Sequence, residues 1–336
     1  MGRITIKDIA RALNIHPSTV SRALKDHPDV GTETKAAVVQ LAQELGYSPN
    51  QQAIHFRHRK SGLIGLILPS INMFFFPSVI QAAEEEALRK GYKLLVFQSG
   101  ESLEKEKQIA QLCLDFRLEG VLVSLSKESR DLSHFEKLRE RDIPVVLFDK
   151  VLQGKQLPLV RIGDARAARL AVRHLLSRGY QHLIGLFDNV NLDISQQRYY
   201  GFKEAHEQAG LKVRNDWCLF AEEAVDCHKP IVQLLRENPQ IDGLFAMSDE
   251  LLAEAMRVMD QTDRSIPDNF GVVVVSDGRL PYYLQPKVTH IHHSGYEVGR
   301  QATALLFTLM EGRTPQRLTI EVPVSLVTLE STRKTS

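Results

Sequence analysis

The chain has 336 residues, 25% of them charged and 43% hydrophobic, with a formal net charge of +1. That length exceeds one ordinary core and suits two or three domains of a soluble globular protein. No stretch approaches the roughly 18 apolar residues of a membrane span, and no apolar signal region opens the chain.

The thiols and the charge distribution say more. Cys113, Cys218 and Cys227 form no even disulfide framework, so reduced thiols in a cytoplasmic protein are expected. Gly2 would suit myristoylation, but Ile6 stands where that motif needs Ser or Thr. Residues 1–60 carry nine Lys and Arg against five Asp and Glu, and four of the twelve histidines. A basic head on a mildly acidic body points to a polyanion partner for the head.

In chain order, Thr5 to Asp8 forms a capping box, and Ile6, Ile9, Ala10 and Leu13 follow at helical spacing. "NIH" at 14–16 breaks this helix, and Pro17 suits the first position of a second, "PSTVSRAL". Val38, Leu41, Ala42 and Leu45 repeat the helical spacing in a third, ended by Gly46. The second helix turns Ser18, Thr19, Ser21 and Arg22 outward, with Val20 and Leu24 inward. Guanidinium forks onto guanine, and small hydroxyls suit phosphates and base edges, so this is a helix-turn-helix reading.

The stretch "TIKDIARALNIHPSTVSRAL…TETKAAVVQLAQELGYSPN" closely resembles the DNA-binding head of the lactose/galactose repressor (LacI/GalR) family. The resemblance is dense over residues 4–50 and looser to about residue 332. It implies that Pro17, Ser18 and Arg22 read bases in the major groove, while Thr5, Thr19, Ser21, Thr34, Tyr47 and Asn50 hold phosphates. His16 and Gly31 stand where that family usually has Ser.

Next comes "NQQAIHFRHRKSGLIG" at 50–65, a basic run with Phe56 inside it. Ser48 and Pro49 read as an N-cap and first helical position, with Ala53 and Phe56 on one face. So short a helix needs a partner. The resemblance makes it a hinge helix that pairs with its copy in the minor groove. There Ala53, Phe56 and Arg57 contact DNA, Phe56 as an apolar wedge, and Arg59 and Lys60 add charge for the phosphates. Ile54 replaces a usual Arg. The plain alternative is a flexible basic linker.

From residue 62 short Val/Ile/Leu runs alternate with amphipathic helices, the rhythm of parallel sheets covered on both faces. Three echoes occur in the same order: "LIGL" at 63 and 183, "EGVLVSLS" with "DGLFAMSD", and "IPVVLFDK" with "FGVVVVSDG". They predict two like lobes. The expected fold is therefore α/β: an all-α helix-turn-helix head (1–47), a hinge or linker (48–61), and a two-lobed, doubly wound parallel-sheet body (62–336) resembling periplasmic sugar-binding proteins. The N-lobe is placed at about 62–160 plus 292–320, and the C-lobe at about 161–291 plus 321–333.

Ligands of such sheets sit beyond the carboxyl ends of the strands. Candidates after strand ends are Phe75, Phe76, Gln98, Ser124, Asp149, Ser248, Asp249 and Asp277, joined by Arg198. Arg198-Tyr-Tyr-Gly201-Phe202 meets a family pattern whose Arg binds effector together with the Asp matching Asp277. Carboxylates and guanidinium fork onto hydroxyls, and a flat aromatic packs on a sugar ring. The plain alternatives are that Asp249 caps its helix and that one or two of the phenylalanines are core.

The expected function is a sequence-specific transcriptional regulator, a repressor of carbohydrate-related genes. It would be a homodimer on a two-fold symmetric double-stranded DNA operator, controlled by a small, sugar-like effector. No heptad segment follows "VSLVTLES", which favours a dimer over a tetramer. The alternatives are a regulator controlled by a protein partner or by none, and a solute-binding protein. No P-loop, GxGxxG, GxSxG or HExxH occurs, and adjacent histidines such as His292 and His293 point oppositely on a strand. No catalytic residue, metal or cofactor is expected.

Overall fold

In the computed structural model the described residues are 4–47, 61–71, 75–152 and 157–333. They form two units, divided after Ser61.

The first unit is the predicted three-helix head: α1 (Ile6–Ala12), α2 (Pro17–Ala23) and α3 (Thr32–Glu44). Ile9, Ala10, Val20, Ala23, Val38 and Ala42 close its core, with Leu13, Leu24, Leu41 and Tyr47 packed against it. Leu45, expected on the inner face of α3, is instead 38% exposed, because the helix has ended there and Gly46 turns the chain at φ +62.

The second unit contains two six-stranded sheets. The strands of the first are β1 (Leu63–Leu68), β2 (Lys93–Gln98), β3 (Val121–Val123), β4 (Val145–Phe148), β5 (Leu159–Ile162) and β11 (Thr319–Val322). They lie in the order β11-β5-β4-β3-β1-β2, all parallel. The second holds β6 (Leu183–Asp188), β7 (Cys218–Ala221), β8 (Gly243–Ala246), β9 (Gly271–Ser276), β10 (Thr289–His292) and β12 (Ser325–Val327). Their order is β12-β10-β9-β8-β6-β7, with β12 alone antiparallel. The echoed runs are β1 with β6, β3 with β8 and β4 with β9, and each pair holds the same place in its sheet.

Helices cover the sheets, as buried parallel strands require. In the first lobe they are α4 (Phe75–Arg89), α5 (Leu103–Asp115), α6 (Ser133–Arg139) and, late in the chain, α12 (Gly295–Met310). In the second they are α7 (Asp164–Ser177), α8 (Asp193–Gln208), α9 (His228–Glu237), α10 (Asp249–Met259) and the single turn α11 (Leu280–Tyr283). The chain changes lobe three times. Only Gly163 separates β5 from α7, His293 and Ser294 separate β10 from α12, and Pro323 and Val324 separate β11 from β12.

Each lobe has one close helix crossing built on glycine. Gly295 and Gly299 of α12 face the carbonyl oxygens of Phe75 and Val79 on α4, where an added Cβ would approach to 2.6 and 2.5 Å. Gly201 of α8 lies against the Ala165 carbonyl of α7, and a Cβ there would overlap it. Gly201→Ala should therefore destabilise the body, although alanine normally favours helix. Forcing the backbones apart costs about 1–3 kcal/mol. Urea unfolding should show a lower midpoint, and an unchanged midpoint would show that the crossing is slack.

Candidate effector cleft and DNA-reading head

The carboxyl ends of the strands in both lobes border one cleft of about 570 Å³. Six expected residues line it: Phe75 and Phe76 from the start of α4, Asp149 after β4, Arg198 on α8, and Ser248 and Asp249 at the start of α10. Arg198 is 4% exposed; its Nε donates to Asp164 Oδ1 at 2.9 Å and its Nη1 to the Met247 carbonyl. Gly201, one turn further along α8, allows the helix approach that brings Arg198 to Asp164.

Three expected residues stand aside. The Gln98 side-chain oxygen accepts from the Ile71 N–H at 3.0 Å, so it ties down the loop after β1. Ser124 is fully buried and donates to Asp149 Oδ2 at 3.3 Å, which makes it a support for Asp149. Asp277 is not among the cleft-lining residues. Its carboxylate accepts from Ser78 Oγ of the other lobe at 3.3 Å and from the Arg279 N–H at 3.4 Å. Asp277, expected to bind the ligand together with Arg198, here makes a bond across the lobes to Ser78.

The capping alternative resolves onto the neighbour. Ser248 is the N-cap of α10, its Oγ accepting from the Leu251 N–H at 3.4 Å. Asp249 Oδ1 is buried with no hydrogen-bond partner among the described residues.

The cleft also gathers residues that the sequence reading missed: Glu101, Lys127, Glu128, Lys150, Asp188, Asn189, Glu222, Glu223, Glu250 and His293. Asp188 and Lys150 follow the same strand-end rule as Asp149, and that signal could have found them. Glu222 and Glu223 follow the edge strand β7, which no quoted motif marked. Lys127 crosses the cleft to Glu223 at 2.7 Å, and Lys150 pairs with Glu101.

Burial dominates the electrostatics. Desolvation pushes the Asp249 carboxyl up to about 7, against a hydrogen bond from Ser276, with Asp277 and Glu250 adding repulsion. Asp188 and Asp164 rise to about 6 for the same reason, Asp164 despite Arg198. Asp149 is also raised by desolvation, against Lys150 and Arg198; it holds a left-handed backbone at φ +57. Burial, with Arg198 nearby, keeps the His293 imidazole neutral, and its Nδ1 has no partner among the described residues.

In the head, His16 takes over the capping role of the missing Ser. Its Nδ1 accepts from the Ser18 N–H at 3.3 Å and lies 2.7 Å from Ser18 Oγ. Asp8 accepts from the Thr5 N–H at 3.0 Å and the Thr5 hydroxyl at 2.7 Å. Pro17 opens α2; Thr19 and Ser21 are half-buried; and Arg22 is exposed, 3.9 Å from Asp29. Thr34 lies half-buried on α3, and Tyr47 packs on the head core. Asn50, Ala53, Phe56 and Arg57 lie outside the described residues.

A helix-turn-helix head on a body with a ligand cleft defines the class: a DNA-binding regulator. The family model of bacterial regulatory proteins of the lacI family matches residues 5–50, and that of periplasmic binding proteins and the sugar-binding domain of the LacI family matches 61–327. The chain belongs to the LacI family. It is 32% identical to the ribose operon repressor of Halalkalibacterium halodurans over 98% of this chain and 97% of that one. It is 26% identical to the transcriptional repressor PurR of Pasteurella multocida over 98% of each. The lac repressor dimer bound to operator and the anti-inducer ONPF shares the fold at a TM-score of 0.87 and 20% identity, covering 98% of this chain and 99% of that one. The CelR–cellobiose complex shares it at 0.73 and 22%, covering 98% and 100%.

Two measurements follow. The Asp249 carboxyl is raised from 3.8 to about 7, so the folded chain binds its proton more readily, and stability falls as pH rises from about 4 to about 7, with the full cost present above that. Asp249→Asn should raise the melting temperature of the ligand-free protein at pH 8.5 by about 2–4 °C, and the gain should shrink as pH falls below about 7 and vanish only near pH 4. A gain independent of pH would place its origin elsewhere. His16→Ala should remove about 1 kcal/mol from the start of α2, seen as roughly five-fold faster amide exchange at Ser18, with His16→Ser restoring protection.

Proposed function

We propose that the chain is a transcriptional repressor of carbohydrate-related genes. It acts as a cytoplasmic homodimer on a two-fold symmetric operator, under the control of a small polyhydroxyl effector bound between the lobes. The carrying observation is the cleft itself. Arg198, Asp149 and Asp249 converge there beside Phe75 and Phe76, in a chain whose other unit is a helix-turn-helix head. Forked donors and acceptors beside an aromatic face suit sugar hydroxyls and the apolar face of the ring. The relatives named above include a ribose operon repressor, and repressors of that kind are not enzymes.

Effector binding would act through the lobe angle. Lys127–Glu223 and Ser78–Asp277 join the lobes in this arrangement, and a ligand that favours one angle shifts the population toward it. The segment 48–61 then carries the change to the head, with Phe56 as the wedge. Dimerisation would use the edge-strand side of the body. Val96 of β2 and Phe220 of β7 are exposed on the two edge strands.

Selection from random duplexes at near-physiological salt tests the reading. A two-fold symmetric site should be enriched, Phe56→Ala should lose preference at its centre, and Arg22→Ala should lose it in each half-site. Arg198→Lys, which keeps a cation beside Asp164, should keep DNA binding and lose its response to effector. If no sequence is enriched, the regulator reading fails.

A further inference from the structure

The cleft is lined by eight carboxylates and three cations. All three cations are already engaged: Lys150 with Glu101, Lys127 with Glu223, and Arg198 with Asp164. The surplus is concentrated on the second lobe. There β9, β8 and β6 lie side by side, and each delivers an acid at its carboxyl end: Asp277, Asp249 and Asp188 in that order. Asp277 is bound to Ser78. Asp249 is 6% exposed with an unpartnered oxygen, and Asp188 makes no ion pair among the described residues. Glu250 adds to the negative potential at both.

Grouped buried carboxylates repel one another, and a positive charge between them removes that cost. No group of His, Cys, Asp and Glu among the described residues is arranged to hold a metal ion. An ammonium group on an organic ligand would supply such a charge. The rest of the wall suits hydroxyl groups: His293 is neutral with a ring nitrogen that has no partner among the described residues, Phe75 lies 5.1 Å from it between ring centroids, and Asn189 is held by Glu222. An anionic ligand would meet this field with every cation already paired.

Accepting the cleft as the effector site, we propose that the effector is an amine-bearing sugar or cyclitol, its ammonium held by Asp188 and Asp249 while Arg198 and His293 take its hydroxyls. Phosphorylated sugars are rejected by the same carboxylates, and neutral sugars bind more weakly for want of the ion pair.

The test is calorimetry on the full-length protein at pH 7. The probes are monosaccharides with the amine at C2, C3, C4 or C6, each compared with its neutral parent, its N-acetyl derivative and its phosphate ester. At least one free amine should bind about ten-fold or more tightly than its neutral parent and N-acetyl form. Asp188→Asn and Asp249→Asn should each bring the free amine down to the affinity of its neutral parent measured on the same variant. Raising the pH above the amine's own pKa should do the same. If a neutral or phosphorylated sugar binds better than every amine, the amine reading is overturned and the carbohydrate-effector reading stands. If no probe of any kind binds, both are overturned. Preference for an amine that survives both substitutions moves the ammonium elsewhere and also overturns the assignment.

Discussion

The body depends on the burial of one guanidinium. Arg198 lies almost out of reach of water, and a charge in that position is tolerable only when its donors are met. Asp164 meets the Nε, and the carbonyl of Met247, just past β8, meets an Nη1. These bonds join α7, α8 and the end of β8 at the floor of the cleft. They require α8 to lie against α7, which Gly201 allows by having no side chain where the Ala165 carbonyl stands. A single stretch, Arg198 to Phe202, thus sets a helix crossing, a buried ion pair and, through Phe202, part of the core beneath.

The two lobes repeat one plan and differ where function differs. β1 and β6 open with the same Leu-Ile-Gly-Leu and hold the same place, yet Leu68 ends the first and Asp188 the second. The first lobe brings Lys127 and Lys150 to the cleft with three acids, while the second brings Arg198 with five. The same Val, Ile and Leu pattern fills both sheets, and the differences lie at the strand ends.

Much of this was legible from residues alone, for identifiable reasons. Strands buried on both faces must be nearly continuous apolar runs, so the rhythm from Leu63 to Val275 was plain, as were the repeat and the three head helices. Phe75, Asp149 and Asp249 followed from the rule that ligands lie beyond strand ends, and Arg198 from the family pattern that Arg198 to Phe202 meets. What the sequence did not carry was direction. Asp277 occupies a strand end too, but Ser78, some 200 positions away in the chain, draws its carboxylate aside. The acidic surplus was likewise invisible, since it assembles from loops of both lobes whose summed charge in the chain is unremarkable. His16 was legible as a departure, but its capping role required the distance from its ring to the Ser18 amide.

The three passages between the lobes are one or two residues long. A residue of backbone reaches at most about 3.6 Å, so one lobe cannot slide far across the other without breaking a strand or a helix end. Three such tethers leave rotation as the low-energy movement. Signals in this body are then read out as an angle, and their size is set by how far from the tethers the surface that senses them lies.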